Sequence, residues 1–479
     1  MTNTDIAVSL TRNSNIPLSQ QLSSEIEQLI DRGVLRGGTK LPSVRVLADA
    51  HNTSTHTVVE AYSHLVARGI VLSRRGSGFF VAENPSKSPV SEVAKLRESL
   101  DPRKLGQELM SDAPTSSVRL GGGPVGSDWV DYIELESAVR KISRGLLPRF
   151  GALGTTQGYA PLREMLARQL SQRGIKAAAS NLLLTNGATQ AIDLLIRLLV
   201  KPGQTVLIDD PGYFQTVWAL KVRGAHIVGV PRNLDGPDVA AFEKICTELR
   251  PSIFFTQSAL QNPTGSMLSL SVAHDLLRAA EKHGVTIIED DVSADLAPEN
   301  SPRLAMLDQL NRVIYLGSFS KTLTPSLRVG YLATKRTDFL EELVTLKLIS
   351  CYASCEPNEA IVHSLLADGH YARHVRRLDR RLQERASTAI ARLEQDGFQL
   401  DQAYIGGTFV WMRQVDIPDA MALTNQASSM GMLLAPGCAF RPNLELSPYL
   451  RFSLPLCTDL ALDMLSKAVS ATKKKLRRG

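Results

Sequence analysis

Five short apolar runs, each followed at once by polar or turn-forming residues and then by a helical stretch, constrain most strongly how this chain can fold. This order is typical of βα units in a mostly parallel sheet. The runs are 182–184, 206–208, 253–255, 285–288 and 313–316. Ligands of open α/β sheets bind beyond the carboxyl ends of the strands, so the residues directly after these runs are the first candidates for a functional site.

A change of composition between about residues 82 and 118 divides the 479-residue chain. Four prolines punctuate a charged, serine-containing stretch there, which predicts a linker. The predicted domains are 1–82, the linker 83–118, and 119–479, with a large part over about 119–345 and a small part over about 346–479. Apolar residues at 43% and charged residues at 21% argue against disorder over the bulk of the chain, and the fold class is α/β and multidomain.

Charge and cysteine content exclude several function classes. A balance of 54 Lys+Arg against 48 Asp+Glu gives +6, too weak by itself to indicate a polyanionic partner. The five cysteines are irregularly spaced, which indicates neither a disulfide framework nor a metal site. The first residues lack a signal-peptide pattern and no apolar stretch reaches about 18 residues, so we expect a cytoplasmic protein with no membrane partner.

The N-terminal piece carries the pattern of three helices and a hairpin. Apolar residues recur at spacings of three and four over 18–30, and two further helices are predicted to start after Ser43 and near Ser54. Runs 70–72 and 79–81 flank a basic, glycine-containing turn, which predicts a β-hairpin. Together these elements predict a winged helix-turn-helix, whose third helix enters the major groove of DNA.

The alternative for this piece is a small packing module without a nucleic-acid partner. Arg45 lies at the start of the second helix, and Arg74 and Arg75 lie at the tip of the hairpin. An isolated packing module gains nothing from cations at these positions, whereas a DNA-binding wing and helix contact phosphates through them. The placement of the charge therefore favours DNA binding.

Segments 41–48, 57–65, 68–70 and 75–81 together resemble the GntR-type winged helix of bacterial repressors. The resemblance implies double-stranded promoter or operator DNA as the partner. It implies the DNA contacts Arg45, Ser54, Thr55, His56, Thr57, Arg74, Arg75 and Gly76.

The predicted strand ends of the C-terminal piece carry groups that would suit one ligand. Segment 185–190 opens a helix with small residues, and the start of such a helix could hold a phosphate. The other strand ends offer an aromatic ring, an amide, carboxylates and an amine, from Tyr213, Asn262, residues 289–291 and Lys321 respectively. Taken singly, each is explained by an ordinary helix start, loop or ion pair. Together they fit pyridoxal 5′-phosphate (PLP), because an amine takes its aldehyde, a carboxylate keeps its pyridine nitrogen protonated and an aromatic ring stacks on it.

Five motifs resemble those of fold-type I aminotransferases: Asn186-Gly187-Ala188-x-Gln190, Asp210-Pro211-x-Tyr213, Asn262-Pro263-Thr264-Gly265, Asp290, and Ser318-x-Ser320-Lys321 with Arg328. The resemblance covers about 120–470, and the fusion to a GntR-type winged helix resembles the MocR/GabR type of bacterial regulator. It implies a mostly parallel sheet with a smaller C-terminal α+β domain. It implies Lys321 and Asp290 as the catalytic pair, with Lys321 forming the internal aldimine, and Arg451 as the receptor of an amino-acid carboxylate. The implied PLP-binding residues are Lys321, Asp290, Asn262, Tyr213, Ala188, Thr189, Ser318, Ser320 and Arg328.

Three departures from the family pattern bear on activity. Val292 and Ser293 stand where relatives have a tyrosine that donates to the ring oxygen, and Leu153 stands where many have a tyrosine that reaches the neighbouring subunit's phosphate. Gln215 replaces an arginine of the GABA-sensing relatives, so a GABA ligand is not supported. The departures argue against turnover more than against cofactor binding.

Three functions remain open from the sequence. The favoured one is a homodimeric transcription regulator that senses PLP or an amino compound through Lys321. The second is a genuine aminotransferase with an accessory N-terminal module. The third is a regulator whose large domain only supports dimerisation, and the intact set of residues around Lys321 argues against it.

Overall fold

The chain divides into two units, residues 1–101 and 102–479. The computed structural model describes residues 17–31, 34–35, 38–67, 70–74, 78–81, 118–123, 126–146 and 153–476. All of the predicted linker except Val118 lies outside the described residues, as do Arg75 and Gly76.

Three helices and a hairpin make up the described part of the first unit. They are α1 (Leu18–Asp31), α2 (Val44–Ala50), α3 (Thr55–Ala67), β1 (Val71–Arg74) and β2 (Gly78–Val81). The strands pair antiparallel with Val71 opposite Val81. Apolar side chains from all five elements form one core, and the buried Tyr62 hydroxyl donates to the Pro42 carbonyl at 2.8 Å. The predicted winged helix-turn-helix is confirmed.

The second unit alternates strands and helices over most of its length. Its first elements are β3 (Val118–Arg119), α4 (Tyr132–Leu146), α5 (Ala160–Gln172), β4 (Leu182–Thr185), α6 (Gly187–Leu199), β5 (Thr205–Asp210), α7 (Phe214–Arg223), β6 (His226–Asn233), β7 (Gly236–Pro237), α8 (Val239–Leu249), β8 (Ile253–Thr256), α9 (Leu270–His283), β9 (Thr286–Asp290), α10 (Leu304–Asp308), β10 (Val313–Ser318) and β11 (Gly330–Ala333). The remaining elements are α11 (Thr337–Cys351), α12 (Glu356–Ala367), α13 (His370–Gln395), β12 (Phe398–Leu400), β13 (Phe409–Gln414), α14 (Ala420–Ser429), β14 (Met432–Leu433), β15 (Ala435–Pro436), β16 (Tyr449–Ser453) and α15 (Asp459–Leu476).

An eight-stranded sheet in the order β4–β11–β10–β9–β8–β5–β6–β7 forms the centre of this unit. Strands β5, β6, β8, β9 and β10 are mutually parallel, whereas β11 pairs antiparallel with both β10 and β4. All five strands predicted from apolar runs are present, and the mostly parallel sheet is confirmed. The sequence did not predict β6, because most of its side chains are half-buried or exposed and make no continuous apolar run.

A second, four-stranded sheet lies in the C-terminal part, in the order β12–β13–β16–β15. It packs with one face of the 26-residue helix α13, through Leu378, Leu382, Ala386 and Leu393, to form a separate core. This is the smaller α+β part that the sequence predicts. The predicted division near residue 345 falls within α11, so that boundary stays a prediction.

Among the described residues, no helix is both long enough and apolar enough to cross a membrane.

Candidate functional site

A cleft with about 680 Å³ of unfilled space, part of it open to solvent, lies at the carboxyl ends of the parallel strands. Parallel strands end at the same edge of a sheet, which is why residues far apart in sequence meet there. All nine residues predicted to bind PLP line the cleft: Ala188, Thr189, Tyr213, Asn262, Asp290, Ser318, Ser320, Lys321 and Arg328. Four further lining residues were not predicted from the sequence: Gly123, Ile192, Gln257 and Pro325.

Asp290 is the last residue of β9 and is 8% exposed. Its Oδ2 accepts a hydrogen bond from Gln257 Nε2 at 2.9 Å, whereas its Oδ1 has no partner among the described residues. Burial raises the pKa of Asp290 to about 7 and the Asp291 charge adds to this, against the opposing effects of the Gln257 hydrogen bond and the smaller ones of the Val292 N–H and the Lys321 charge. The cleft therefore contains a buried carboxylate oxygen that is free for a cationic or N–H donor.

Glu289 and Asp291, the neighbours of Asp290, are held away from the cleft. Glu289 accepts from the two backbone N–H groups that begin α10, at 2.8 and 2.7 Å. Asp291 pairs with Arg303 at 2.6 Å, and both side chains are buried. Separate partners thus make the crowding of three carboxylates tolerable, and Asp290 alone faces the cleft.

Lys321 follows β10 and places its amine in the same cleft. Its Nζ donates to the carbonyl of Gly123 at 2.7 Å and lies 5.0 Å from the ring centre of Phe409. Burial lowers the pKa of Lys321 to about 7, with a further lowering by Arg451 and a smaller opposing effect of Asp290. A large fraction of this amine is therefore neutral, and nucleophilic, near pH 7.

Arg451 projects from β16 and is 1% exposed. Its Nη1 donates to Asn262 Oδ1 at 2.9 Å and its Nη2 to the carbonyl of Gly121 at 2.8 Å, while its Nε has no partner among the described residues. Burial lowers the pKa of Arg451 to about 9. Within the described part of the chain no carboxylate forms an ion pair with it, so its guanidinium is available to an anionic ligand.

Donors of three kinds converge at the end of the cleft next to α6. The first turn of α6 begins at Gly187, whose φ of 75° favours glycine and whose added Cβ would overlap the Arg328 guanidinium. Arg328 Nη1 lies 3.5 Å from Ser320 Oγ, and Ser318 Oγ accepts from the Ser320 N–H at 3.2 Å. Free N–H groups of a helix start, two hydroxyls and a guanidinium are an arrangement that suits a phosphate.

The positions that depart from the family pattern differ in their surroundings. Val292 lines the cleft, whereas Ser293 is not among its lining residues. The Tyr213 hydroxyl donates to Gln215, so that Gln215 orients the ring of Tyr213. Leu153 is 78% exposed and does not line the cleft.

Gly121 and Gly123, which sequence reasoning missed, hold Arg451 and Lys321 through their carbonyls. A Cβ on Gly121 would overlap the backbone of the segment around Ala435, so the close approach of the chain requires glycine there. The three consecutive glycines at 121–123 were the signal that could have indicated such an approach.

The structure describes the side chains of five predicted DNA contacts, which are Arg45 and residues 54–57. Arg45, Thr55 and His56 are exposed. Ser54 instead caps α3: its Oγ accepts from the Thr57 N–H at 3.1 Å and lies 2.8 Å from Thr57 Oγ1. Arg74 ends β1. The DNA contacts remain predictions. Two of the residues, Ser54 and Thr57, are already hydrogen-bonded to each other.

We expect Ser54→Ala to destabilise α3 by about 1 kcal/mol, because the Thr57 N–H loses its acceptor. Hydrogen exchange of the full-length protein should show roughly fivefold faster exchange of the amides in α3. His56→Ala, at an exposed position in the same turn, is the matched control and should leave this exchange unchanged. Equal exchange in the Ser54 variant and the wild type would contradict the capping role.

The fold and the site together define a class of protein: an aminotransferase-like unit of fold type I joined to a winged helix. The profile of the family "Aminotransferase class I and II" matches residues 125–469, and that of "Bacterial regulatory proteins, gntR family" matches residues 18–81. The chain belongs to the class I and II aminotransferase family and carries a GntR-type N-terminal domain, so the predicted MocR/GabR-type organisation is confirmed.

Two named bacterial proteins are similar to this chain over most of its length. The chain is 28% identical over 450 residues to the uncharacterized HTH-type transcriptional regulator YdfD of Bacillus subtilis, which covers 91% of this chain and 92% of YdfD. It is 29% identical over 401 residues to the probable rhizopine catabolism regulatory protein MocR of Rhizobium meliloti, covering 80% and 78%.

Aminotransferases of Thermus thermophilus are also similar to this chain. The 2-aminoadipate transaminase is 32% identical over 297 residues, which covers 60% of this chain and 72% of that enzyme. The crystal structure of the α-aminoadipate aminotransferase LysN with N-(5′-phosphopyridoxyl)-L-leucine superimposes with a TM-score of 0.68 at 26% identity, covering 79% of this chain and 98% of LysN.

Proposed function

We propose that this protein is a transcription regulator that binds a specific DNA sequence through its winged helix and binds PLP in the cleft at Lys321. Its effector is PLP itself or an amino compound that reacts with the bound cofactor. We further propose that it acts in the cytoplasm as a homodimer, for which sedimentation at the mass of two 52.2 kDa chains is the test.

One observation carries the cofactor proposal: the unpartnered Oδ1 of the buried Asp290. A buried carboxylate oxygen without a donor is costly, and the protonated nitrogen of a pyridine ring supplies the missing donor. Lys321 Nζ, the other group that PLP needs, lines the same cleft. When bound, PLP supplies an aldehyde that condenses with amines and a ring that withdraws electrons from the adjoining carbon.

The remaining residues of the cleft would bind and orient the cofactor. The first turn of α6, with Ser318, Ser320 and Arg328, would hold the phosphate. Tyr213 would stack on the ring and the Asn262 amide would meet the ring oxygen. Arg451 would take the carboxylate of an amino-acid effector, which would replace the neutral oxygens that its Nη1 and Nη2 now contact.

The capture of PLP should depend on pH through Lys321. Only the neutral amine attacks an aldehyde, and burial lowers the pKa of Lys321 to about 7. We therefore expect the rate of PLP capture to rise between about pH 6 and 8 and then to level off, whereas a lysine of ordinary pKa would continue to gain rate up to about pH 10. Stopped-flow absorbance over this range measures the rate, and a profile that still rises steeply at pH 9 would contradict the lowered pKa.

The proposal as a whole is tested by an absorbance titration with PLP, followed by a panel of amino acids, with and without the DNA upstream of the gene. We expect stoichiometric PLP binding and a change in DNA affinity on addition of PLP or of one class of amino acid. If neither PLP nor any amino acid changed the DNA affinity, the sensing proposal would be wrong. The protein would then be a regulator whose second unit only supports assembly.

Transamination is the second candidate function. Lys321 and Asp290 line the cleft, and Arg451 donates to Asn262, which also lines it. The nearness of these groups favours transamination, because they are the amine, ring carboxylate and carboxylate receptor that such a reaction needs. Val292 at the cleft, in place of a tyrosine, argues against efficient turnover. Steady turnover of an amino donor and a keto acid at about 1 per second or faster would make transamination the main function.

A further inference from the structure

Gln257 is a buried amide that contacts two of the predicted PLP-binding residues at once. It follows β8 directly and is 7% exposed. Its Nε2 donates to Asp290 Oδ2 at 2.9 Å, and its Oε1 accepts from the backbone N–H of Asn262 at 2.7 Å. The opposite amide orientation would place oxygen against a carboxylate and NH₂ against an N–H, so the two partners determine which way the amide points.

The main chain of Gln257 is also anchored. Its N–H donates to Asp209 Oδ2 at 3.2 Å, and its carbonyl accepts from Arg232 Nη2 at 2.8 Å. Asp209 and Arg232 form a buried ion pair at 3.1 Å, with side chains only 3% and 1% exposed. Gln257 is therefore fixed at both its backbone and its side chain, and it can hold its two partners in a defined geometry.

The contact with Asp290 has a chemical consequence beyond packing. Because Oδ2 is occupied by Gln257, Oδ1 is the oxygen that remains free in the cleft. A hydrogen bond donated to a carboxylate favours its charged form, and here it opposes the burial that raises the pKa of Asp290. Without this donor the carboxyl would more readily become neutral and would hold a proton on a pyridine nitrogen less well.

We propose that Gln257 is a positioning residue for the cofactor, whose single amide occupies Asp290 Oδ2 so that Oδ1 stays free for the pyridine nitrogen, and holds Asn262 where its side chain meets the ring oxygen. This inference rests on the proposed binding of PLP. It assigns to Gln257 the task of linking the two polar contacts of the cofactor ring, one at the end of β9 and the other in the loop after β8.

Two variants separate the two contacts. Gln257→Met keeps the length and approximate volume of the side chain and removes both hydrogen bonds. Gln257→Glu keeps an acceptor for the Asn262 N–H but replaces the donor to Asp290 by an oxygen. Two quantities are measured on each full-length variant. They are the dissociation constant of PLP and the pH midpoint of the absorbance change of bound PLP.

We expect both variants to bind PLP roughly tenfold to hundredfold more weakly than the wild type. The pH midpoint should move upward in both, because a ring nitrogen that has lost its proton withdraws fewer electrons from the lysine nitrogen. The shift should be larger for Gln257→Glu, which places a second carboxyl group beside Asp290. A residue that only fills space would leave this midpoint unchanged.

Gln414→Met is the matched control. Gln414 is 1% exposed, and its side chain also makes two bonds, donating to the Asp396 carbonyl at 2.9 Å and accepting from the Asp416 N–H at 2.6 Å. It does not line the cleft, so its replacement should lower stability but leave both PLP measurements at wild-type values. Wild-type affinity and midpoint in both Gln257 variants would overturn the inference, whereas a wild-type protein that binds no PLP would refute the proposed function instead.

Discussion

Lys321→Ala should abolish the absorbance change that accompanies PLP binding and should abolish every effect of PLP or an amino acid on DNA affinity. Lys321 supplies the only amine among the described residues that line the cleft, and its burial and lowered pKa prepare it to react with an aldehyde near pH 7. The GntR-type domain spans residues 18–81, so DNA affinity in the absence of PLP should stay at the wild-type value. Absorbance titration and fluorescence anisotropy with the upstream DNA measure the two effects.

An exposed lysine provides the control for this experiment. Lys335 lies just after β11 with an exposed side chain and does not line the cleft. Lys335→Ala should therefore bind PLP and respond to it as the wild type does. If Lys321→Ala kept the PLP-dependent change in DNA affinity, sensing would not pass through this lysine, and the proposed mechanism of regulation would be wrong.

Arg303→Met should lower the free energy of unfolding of the second unit by about 3 to 5 kcal/mol. Arg303 Nε lies 2.6 Å from Asp291 Oδ2, and the two side chains are 4% and 0% exposed. Removing the guanidinium leaves a buried carboxylate with the Tyr315 hydroxyl, at 2.8 Å, as its remaining polar contact to Oδ2. Denaturant unfolding followed by a probe in the second unit measures the loss.

The double variant Arg303→Met with Asp291→Asn tests the cause of that loss. A neutral amide at position 291 removes the uncompensated charge, so the double variant should be more stable than Arg303→Met alone. A loss below about 1 kcal/mol in Arg303→Met would be typical of an exposed ion pair. It would contradict the conclusion that the buried pair with Arg303 keeps Asp291 away from the cleft.

The sequence indicated the cofactor site because the information needed for it is local. Each polar motif comes after an apolar run with no other apolar run between them, so Tyr213, Asn262, Asp290 and Lys321 were all placed at strand ends without knowledge of the strand order. The rule that such ends share one edge of a sheet then brought them together, and the structure has them in one cleft.

Partners that come from distant segments could not be predicted in this way. Ser54 was predicted to contact DNA. Whether its hydroxyl is free depends on the backbone geometry of the turn before α3, where Ser54 Oγ accepts from the Thr57 N–H and so caps the helix. Gln257 lies beside a predicted strand, yet nothing in its neighbourhood in sequence shows that its amide reaches Asp290 on the next strand. Strand β6 was missed because its partial burial leaves no apolar run.

The sequence alone determined the class of this protein: a winged helix followed by an aminotransferase-like α/β unit, with Lys321 and Asp290 at the ends of parallel strands. Periodicity carries the pattern of helices and strands, and the resemblance of the motifs to GntR-type winged helices and to fold-type I aminotransferases carries the class. Only the tertiary structure decided which of the three adjacent carboxylates faces the cleft, and that the carbonyls of Gly121 and Gly123 hold Arg451 and Lys321. These contacts join residues 330 and 198 positions apart, and burial, which sets the pKa values of the groups involved, exists only once the distant segments have packed together.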